Sequence, residues 1–402
     1  MHRICFLFSI YLSTVLSVQT FAEITPYLVT GFAEPKIRVR VGQSLKKVIV
    51  SGTDLKRTFH LGNKLKVFPG RKRIKFNCDS FGHKNRKKFK KPTLLASLNS
   101  MTGLVTVSGK KYMGTVDIVT SPKSDSCDVV QETRLEDYIS GLLAKEMNSS
   151  WPLEALKAQA VAARSYALHK MKTNQVSKTL GRKAHYHLES SEKHQVSGSF
   201  FDMTRSTDLA TTETQGEVLV TPKGKLTPIF FHAKCGGKIL RPDQVWGNTV
   251  IGYHKNPKGG HCIGHGKKKW RKKISYKRFL SFLKWAQKKK LINLKTKISG
   301  KKKIKILADS KKRNSIRLYW GDLHLVVAKP IFRRYFGRVL FPSNNFSLNW
   351  NDSKRAFAVS GSGLGHGVGM CQLGALDLAQ KGWSYKKILA LYFPGHKLEK
   401  AY

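Results

Sequence analysis

The sequence predicts an α+β fold: an N-terminal β-rich module, a helical catalytic segment, then further strands and C-terminal helices that form a groove. Three patterns support this prediction. Apolar and polar residues alternate in short runs between residues 36 and 120, as half-buried strands require. Apolar residues recur at helical spacing between residues 134 and 171. A glycine-rich stretch after residue 360 then precedes two short helical patterns.

The composition indicates a folded, strongly basic protein. The chain has 402 residues, of which 41% are hydrophobic, enough to build a core. It carries 74 Lys and Arg against 24 Asp and Glu, a formal net charge of +50. Such a surplus favours polyanionic partners, such as anionic polymers of the cell envelope. The alternative is a general compositional bias towards lysine.

The N-terminal residues, Met1 to Ala22, have the pattern of a secretory signal peptide. The apolar run from Ile4 to Leu16 is too short to span a bilayer, and small residues precede a cleavage point at Glu23. We therefore expect export to the periplasm or cell envelope, where nucleic acid is not an available partner. The alternative is an N-terminal anchor that is not cleaved.

Residues 23–122 are predicted to form the β-rich module. Strands are expected at Lys36–Val41, Lys46–Val50, Leu104–Val107 and Gly114–Val119. Turn residues, mostly Gly and Asn, separate these runs. Because disulfides form outside the cytoplasm, Cys78 and Cys127 are a candidate pair.

Two helices are predicted next. Thr133 and Glu136 have the spacing of a capping box, which would start the first helix, and Asn148 interrupts it. Pro152 suits the first turn of the second helix, which runs from Leu153 to about Met171. That helix is rich in alanine and apolar on nearly all sides, so we expect it to be buried.

Glu146 is the candidate catalytic residue. It lies on the apolar face of the first helix, close to the helix end, where clefts usually open. Burial of a carboxyl group raises its pKa, and a general acid for glycosidic cleavage needs such a pKa. The alternative is a structural ion pair with Arg164 or a lysine.

Three long motifs occur in order along the chain. They comprise Thr133–Met147 with Trp151–Ala167, Gln215–Leu219 with His232–Gly237, and Gly363–Ala375 with Tyr392–Gly395. Together they resemble the stage II sporulation protein D (SpoIID/LytB-like) family, over about residues 100 to 398. The resemblance implies a catalytic domain at residues 123–400, with a lysine-rich insertion at about 267–313.

The resemblance also implies an activity on peptidoglycan glycan strands. Family members are lytic transglycosylases or enhancers of cell-wall amidases. In the first role, Glu146 would act as the single acid/base and cleave the MurNAc–GlcNAc bond to a 1,6-anhydro end, without a cofactor. In the second role, the protein would bind the wall and activate an amidase partner without catalysis of its own.

Several polar residues are candidates for substrate binding. Gln159, Arg164 and Tyr166 lie on the otherwise apolar second helix. Because buried polar groups need partners, we expect them to orient Glu146 or to bind glycan. His366 lies in a glycine-rich loop that would let the backbone approach a sugar closely, and Gln372 follows in the same motif. The alternative for the loop is a tight turn against the core.

Two short-spaced pairs suggest a structural metal site. His232 and Cys235 form one pair, and Cys262 and His265 form the other. Two Cys and two His at such spacing suit one tetrahedral zinc with no open position. The alternative is a Cys235–Cys262 disulfide. Within the lysine-rich insertion, apolar residues at helical spacing after Ser275 predict an amphipathic helix with a solvated basic face.

Overall fold

The strands and helices of the protein are described by a computed structural model that covers residues 33–402 apart from 61, 79–91, 121–124, 174–184, 191–194, 196–197, 254–258, 263–264, 266–268, 293–303 and 311–313. The predicted signal peptide lies outside the described residues. Glu34–Tyr402 forms one compact unit that contains both strands and helices, so the α+β class is confirmed. Within the described residues, no helix combines the length and hydrophobicity needed to cross a membrane.

Nine strands of the described chain form one N-terminal sheet. They are β1 (Lys36–Leu45), β2 (Lys47–Phe59), β3 (Lys64–Asn77), β4 (Leu94–Ser100), β5 (Leu104–Val107), β6 (Lys110–Met113), β7 (Thr115–Thr120), β8 (Cys127–Arg134) and β9 (Leu188–Glu189). Their order is β6-β5-β2-β4-β7-β8-β1-β9, with β3 beside β2, and only the β1–β9 pair of this sheet is parallel among the described strands. A disulfide joins Cys78, just after β3, to Cys127 at the start of β8, which confirms the candidate pair.

The sheet continues directly into the predicted helices. Strand β8 ends at Arg134, where α1 (Leu135–Glu146) begins, and α2 (Leu153–Thr173) follows after a short turn. The capping-box prediction was wrong, because Thr133 is the penultimate residue of β8 and the residue before α1 makes no side-chain cap. The Glu34 carboxylate instead accepts a hydrogen bond from the Glu136 backbone N–H at 2.9 Å. A residue that precedes the first strand therefore caps the helix.

The remaining elements outside the insertion pack around α2. They are α3 (Arg205–Glu213), β10 (Glu217–Val220), β11 (Phe231–His232), α4 (Pro242–Trp246), β18 (Met370–Cys371), α7 (Gln372–Gln380), α8 (Tyr385–Tyr392) and β19 (Lys397–Lys400). Strand β10 pairs with β19, and β11 pairs in parallel with β18. These pairs bring the C-terminal residues beside the buried face of α2, which is buried along most of its length as predicted.

The lysine-rich stretch opens a module with its own core. Its elements are β12 (Lys269–Ser275), α5 (Tyr276–Lys288), β13 (Ile304–Ser310), β14 (Ser315–Trp320), β15 (Leu323–Ala328), α6 (Lys329–Leu340), β16 (Phe346–Asn351) and β17 (Ala356–Ser362). Buried side chains from Ile274 to Val359 form one cluster, with Trp320 fully buried in it. Helix α5 is the predicted amphipathic helix, and its apolar face packs into this core. The module thus extends well past residue 313, where the lysine density falls.

Candidate active site

A cavity of about 460 Å³ opens at the C-terminal end of α1. Its walls come from α1, β11, the glycine-rich loop before β18, and helix α6 of the insertion module. Of the predicted catalytic and binding residues, the cavity brings together Glu146, Tyr166, His366 and Gln372. These residues lie far apart in sequence, and the short β11–β18 pairing is what places His366 and Gln372 opposite α1.

Glu146 is the last residue of α1 and is partly buried in the cavity wall. Among the described residues that line the cavity, it is the sole carboxylate. Arg338 lies close to it: burial lowers the pKa of Arg338, and the negative charge of Glu146 acts in the opposite direction. The wall therefore holds one acid with basic groups nearby.

Two arginines enter the site from the insertion module. Arg333 lies on α6, and its guanidinium Nε donates to the backbone oxygen of Phe341 at 3.1 Å. Arg338 directly follows Gly337, where α6 is interrupted at φ 79° and ψ 174°, a conformation that only glycine adopts readily. Sequence reasoning missed both, because nothing distinguishes them among 74 basic residues. The glycine inside a helical pattern was the one local signal.

A pair of neutral histidines forms another wall. The Nδ1–H of His232 donates to the backbone oxygen of Val368 at 3.0 Å, and the backbone N–H of Val368 donates to Nδ1 of His366 at 3.1 Å. Burial lowers the pKa of His232 to about 4 and lowers the pKa of His366 well below its ordinary value. The Nε2 atom of His232 is then a buried acceptor, and it has no hydrogen-bond partner within the described part of the chain.

Aromatic residues connect this cavity to a second one of about 580 Å³. Tyr166, Phe230 and Trp246 line both. The Phe230 and Trp246 ring centroids are 4.4 Å apart, and those of Tyr166 and Phe230 are 5.9 Å apart. Lys170 and Lys225 line the second cavity. The two cavities and the aromatic wall that they share are called the groove below.

Two predicted binding residues do not line either cavity. Gln159 is fully buried in α2, with no partner for its side-chain amide among the described residues. The contacts of Arg164 lie within the core. Its guanidinium is fully buried and makes two bonds to the Glu136 carboxylate, at 2.9 Å and 2.7 Å. Arg164 is a structural residue, and its ion-pair partner is Glu136, not Glu146.

The structure does not bring the four predicted zinc ligands together. His232 lies in the cavity wall, and Nε2 of His265 is 2.6 Å from a carboxylate oxygen of Asp377. The Sγ atoms of Cys235 and Cys262 are 3.4 Å apart, and both cysteines are free rather than joined.

Cys371 lies beside Cys235 and Cys262. Within the described chain, the Sγ atoms of these three buried cysteines lie within 4.8 Å of one another. Such a set could bind a metal. The sequence spacing could not reveal Cys371, because it is far along the chain.

Comparison with known proteins finds relatives of this chain. The family model described as Stage II sporulation protein, SpoIID, matches residues 123–220. The chain is 33% identical over 292 residues to an uncharacterized protein of Brachyspira hyodysenteriae, a match that covers 72% of this chain and 73% of the relative.

Two proteins of Bacillus subtilis are also similar. The amidase enhancer is 26% identical over 74% of this chain and 45% of its own length. Stage II sporulation protein D is 25% identical over 68% of this chain and 76% of its own length. On the motifs, the fold and these matches, the chain belongs to the SpoIID family.

Proposed function

We propose that this protein is an exported peptidoglycan lytic transglycosylase, with Glu146 as its acid/base. One observation carries the proposal: Glu146 is the sole carboxylate among the described residues of a cavity with aromatic and basic walls. Ordinary glycosidases use two carboxyl groups, one on each side of the scissile bond. A lytic transglycosylase needs one, because the substrate supplies its own nucleophile.

In the proposed reaction, the Glu146 carboxyl group donates its proton to the oxygen that links MurNAc to GlcNAc. The bond from C1 of MurNAc to that oxygen breaks, and GlcNAc leaves with a free 4-hydroxyl group. The 6-hydroxyl oxygen of the same MurNAc attacks C1, and its proton returns to the Glu146 carboxylate. The product is a 1,6-anhydro end, and no water is consumed. Arg338 can stabilise the carboxylate between the two proton transfers, since a nearby cation favours the anion.

The groove suits a polymer. Tyr166, Phe230 and Trp246 offer apolar ring faces, and sugars present apolar C–H faces that can pack against them. A net charge of +50 favours retention in a wall that contains anionic polymers. Glycan strands are therefore the proposed substrate.

A second candidate function is that of a wall-binding amidase enhancer without catalysis of its own. The observation that favours it is that a relative at 26% identity is named amidase enhancer. Both functions need the groove to bind glycan. They differ in whether Glu146 has a chemical role.

The experiment incubates purified protein with glycan strands, with and without stem peptides, and identifies the new ends by mass spectrometry. We expect anhydro-MurNAc ends from wild-type protein and none from Glu146→Gln. Glu399→Gln is a matched control, since Glu399 is on a surface strand and pairs with Lys397. Hydrolytic reducing ends would contradict the transglycosylase. Equal activity of Glu146→Gln would contradict the role of Glu146. No cleavage, with stimulation of an added amidase, would favour the enhancer.

A further inference from the structure

Three buried cysteines meet behind the floor of the cavity, each from a different segment. Cys235 follows β11, Cys262 lies in the loop before the insertion module, and Cys371 ends β18. Each is at most 3% exposed, and their Sγ atoms lie within 4.8 Å of one another. The separation from Cys235 Sγ to Cys262 Sγ is 3.4 Å. Three independent segments thus converge on one point.

Backbone N–H groups donate to two of these sulfurs. The backbone N–H of Gly237 donates to Cys235 Sγ at 3.4 Å, and the backbone N–H of Cys235 donates to Cys371 Sγ at 3.3 Å. Cys371 is also the N-cap of α7, a helix of nine residues, where the helix dipole favours an anion. Thiolates are the form of cysteine that binds metals.

A second, independent feature points to a ligand. The Tyr392 hydroxyl is buried and has no hydrogen-bond partner among the described residues. It lies beside the cluster, because Tyr392 Oη and Cys371 Sγ both contact Gly374. They are 2.2 Å and 3.5 Å from the point that a Cβ atom on this glycine would occupy. Ile229 and other apolar side chains pack in the same buried cluster as the cysteines. A buried hydroxyl beside three sulfurs is costly unless something in that space binds to it.

The dimensions fit a thiophilic ion. A tetrahedral site with zinc–sulfur bonds of about 2.3 Å places its sulfurs about 3.8 Å apart. The observed 3.4 Å between two of the sulfurs, within a set that spans at most 4.8 Å, requires small side-chain adjustments. Thiolate ligands select zinc and other soft ions over magnesium or calcium.

We propose that Cys235, Cys262 and Cys371 bind one structural zinc ion through their thiolates, with the Tyr392 hydroxyl donating a hydrogen bond to one of them. This ligand set replaces two histidines of the sequence-based set with one distant cysteine and does not depend on the proposed catalytic activity.

The site would hold the cavity floor in place. Cys371 directly precedes Gln372, which lines the cavity. Cys235 follows Lys234, whose backbone N–H and C=O both bond to Leu364 in the glycine-rich loop, at 3.0 Å and 2.8 Å. An ion bound to all three cysteines would tie this loop and the start of α7 to the segment that carries Cys262. The three cysteines supply three of the four positions of a tetrahedral zinc and leave the fourth to a non-protein ligand, and the role proposed for the ion is in stability.

The first test uses the full chain, purified without added metal. Elemental analysis should find about one zinc per chain. Titration of the native protein with a mercurial reagent should release that zinc as the three thiols of the cluster react, which needs no variant and therefore no assumption about folding. Absence of metal, with Cys235 and Cys262 joined in a disulfide by peptide mapping, would overturn the proposal.

The second test separates this ligand set from the one that spacing suggests. Cadmium binding, followed by thiolate charge-transfer absorption, should weaken by about 100-fold or more in Cys371→Ser, since loss of a ligand exceeds the loss of an outer-shell partner. Tyr392→Phe should weaken it about 10-fold. His265→Gln is the matched control and should bind as wild type. Loss of metal in His265→Gln with retention in Cys371→Ser would overturn the proposal.

Discussion

The imidazole rings of His232 and His366 lie 5.9 Å apart, centroid to centroid, in the wall of the cavity that holds Glu146. One residue, Val368, fixes both rings through its backbone N–H and C=O. Burial keeps both imidazoles neutral near pH 7, because it lowers their pKa values. Because Val368 engages Nδ1 of each ring, Nε2 of His232 is an acceptor and Nε2 of His366 carries the proton, and protonation in acid would change this arrangement.

The stability of the protein should fall as pH decreases from about 6.5 to about 4, in part because of His232. Its pKa is about 4 when folded, against about 6.5 for an unperturbed histidine, so the unfolded chain takes up the proton first. This difference corresponds to about 3 kcal/mol of unfolding free energy, present above pH 6.5 and lost towards pH 4. Denaturant unfolding measures this between pH 7.5 and pH 4. The free energy of unfolding of His232→Asn should fall over this range by about 3 kcal/mol less than that of the wild type.

His324→Asn is the control for the pH experiment, because His324 is exposed on the surface of the insertion module. It should keep the wild-type pH dependence. His396, whose pKa burial also lowers to about 4, is present in all these proteins and does not affect the difference between them. If the free energy of unfolding of wild type and His232→Asn changed equally with pH, the lowered pKa of His232 would be contradicted.

Removal of one partner from the buried Arg164–Glu136 pair should destabilise the fold strongly. Arg164→Met leaves the Glu136 carboxylate, which also accepts from the Gly216 backbone N–H, without its buried cation. The expected loss is about 3–5 kcal/mol, as for other buried pairs that lose one partner. Urea unfolding measures it. Lys397→Met breaks an exposed pair with Glu399 and should cost less than about 1 kcal/mol. Similar losses in both variants would be the contrary result.

Arg338 should contribute to substrate binding, on the proposed function. Arg338→Gln removes a cation next to Glu146 and should raise KM for glycan strands about 10-fold, equivalent to about 1.4 kcal/mol. Added salt should raise KM less in the variant than in wild type, because the screened charge is gone. Arg317→Gln is the matched control, as Arg317 is exposed in the same module and does not line the cavity. An unchanged KM in Arg338→Gln would exclude this role.

The Cys78–Cys127 disulfide should stabilise the N-terminal sheet. It joins residues 49 apart in the sequence, and closure of a loop of that size in the unfolded chain corresponds to about 4 kcal/mol. The double variant Cys78→Ser/Cys127→Ser should therefore unfold at a lower urea concentration, with the metal content of the other cysteine cluster unchanged. Coincident unfolding curves for the variant and wild type would show that the sheet does not depend on the bridge.

Local patterns predicted several of the helices and strands correctly. Helix α2 begins at Leu153, as its alanine-rich pattern and Pro152 indicated, and β5 spans Leu104–Val107 as expected. The capping box failed because Thr133 belongs to a strand that pairs on both sides, and sheet pairing overrode the local signal. The partner that caps α1 is Glu34, which no spacing rule links to residue 136.

The sequence by itself determined the family, the α+β class and the position of Glu146 at the end of a helix, because motif order and residue spacing are local properties of the chain. Tertiary structure alone decided which distant residues meet. It brought Arg338 to Glu146, paired Arg164 with Glu136, and placed Cys371 beside Cys235 and Cys262. The physical reason is that side chains far apart along the chain come together through the packing of whole strands and helices. The identity and position of a single arginine or cysteine in the sequence do not indicate which distant residues it will contact.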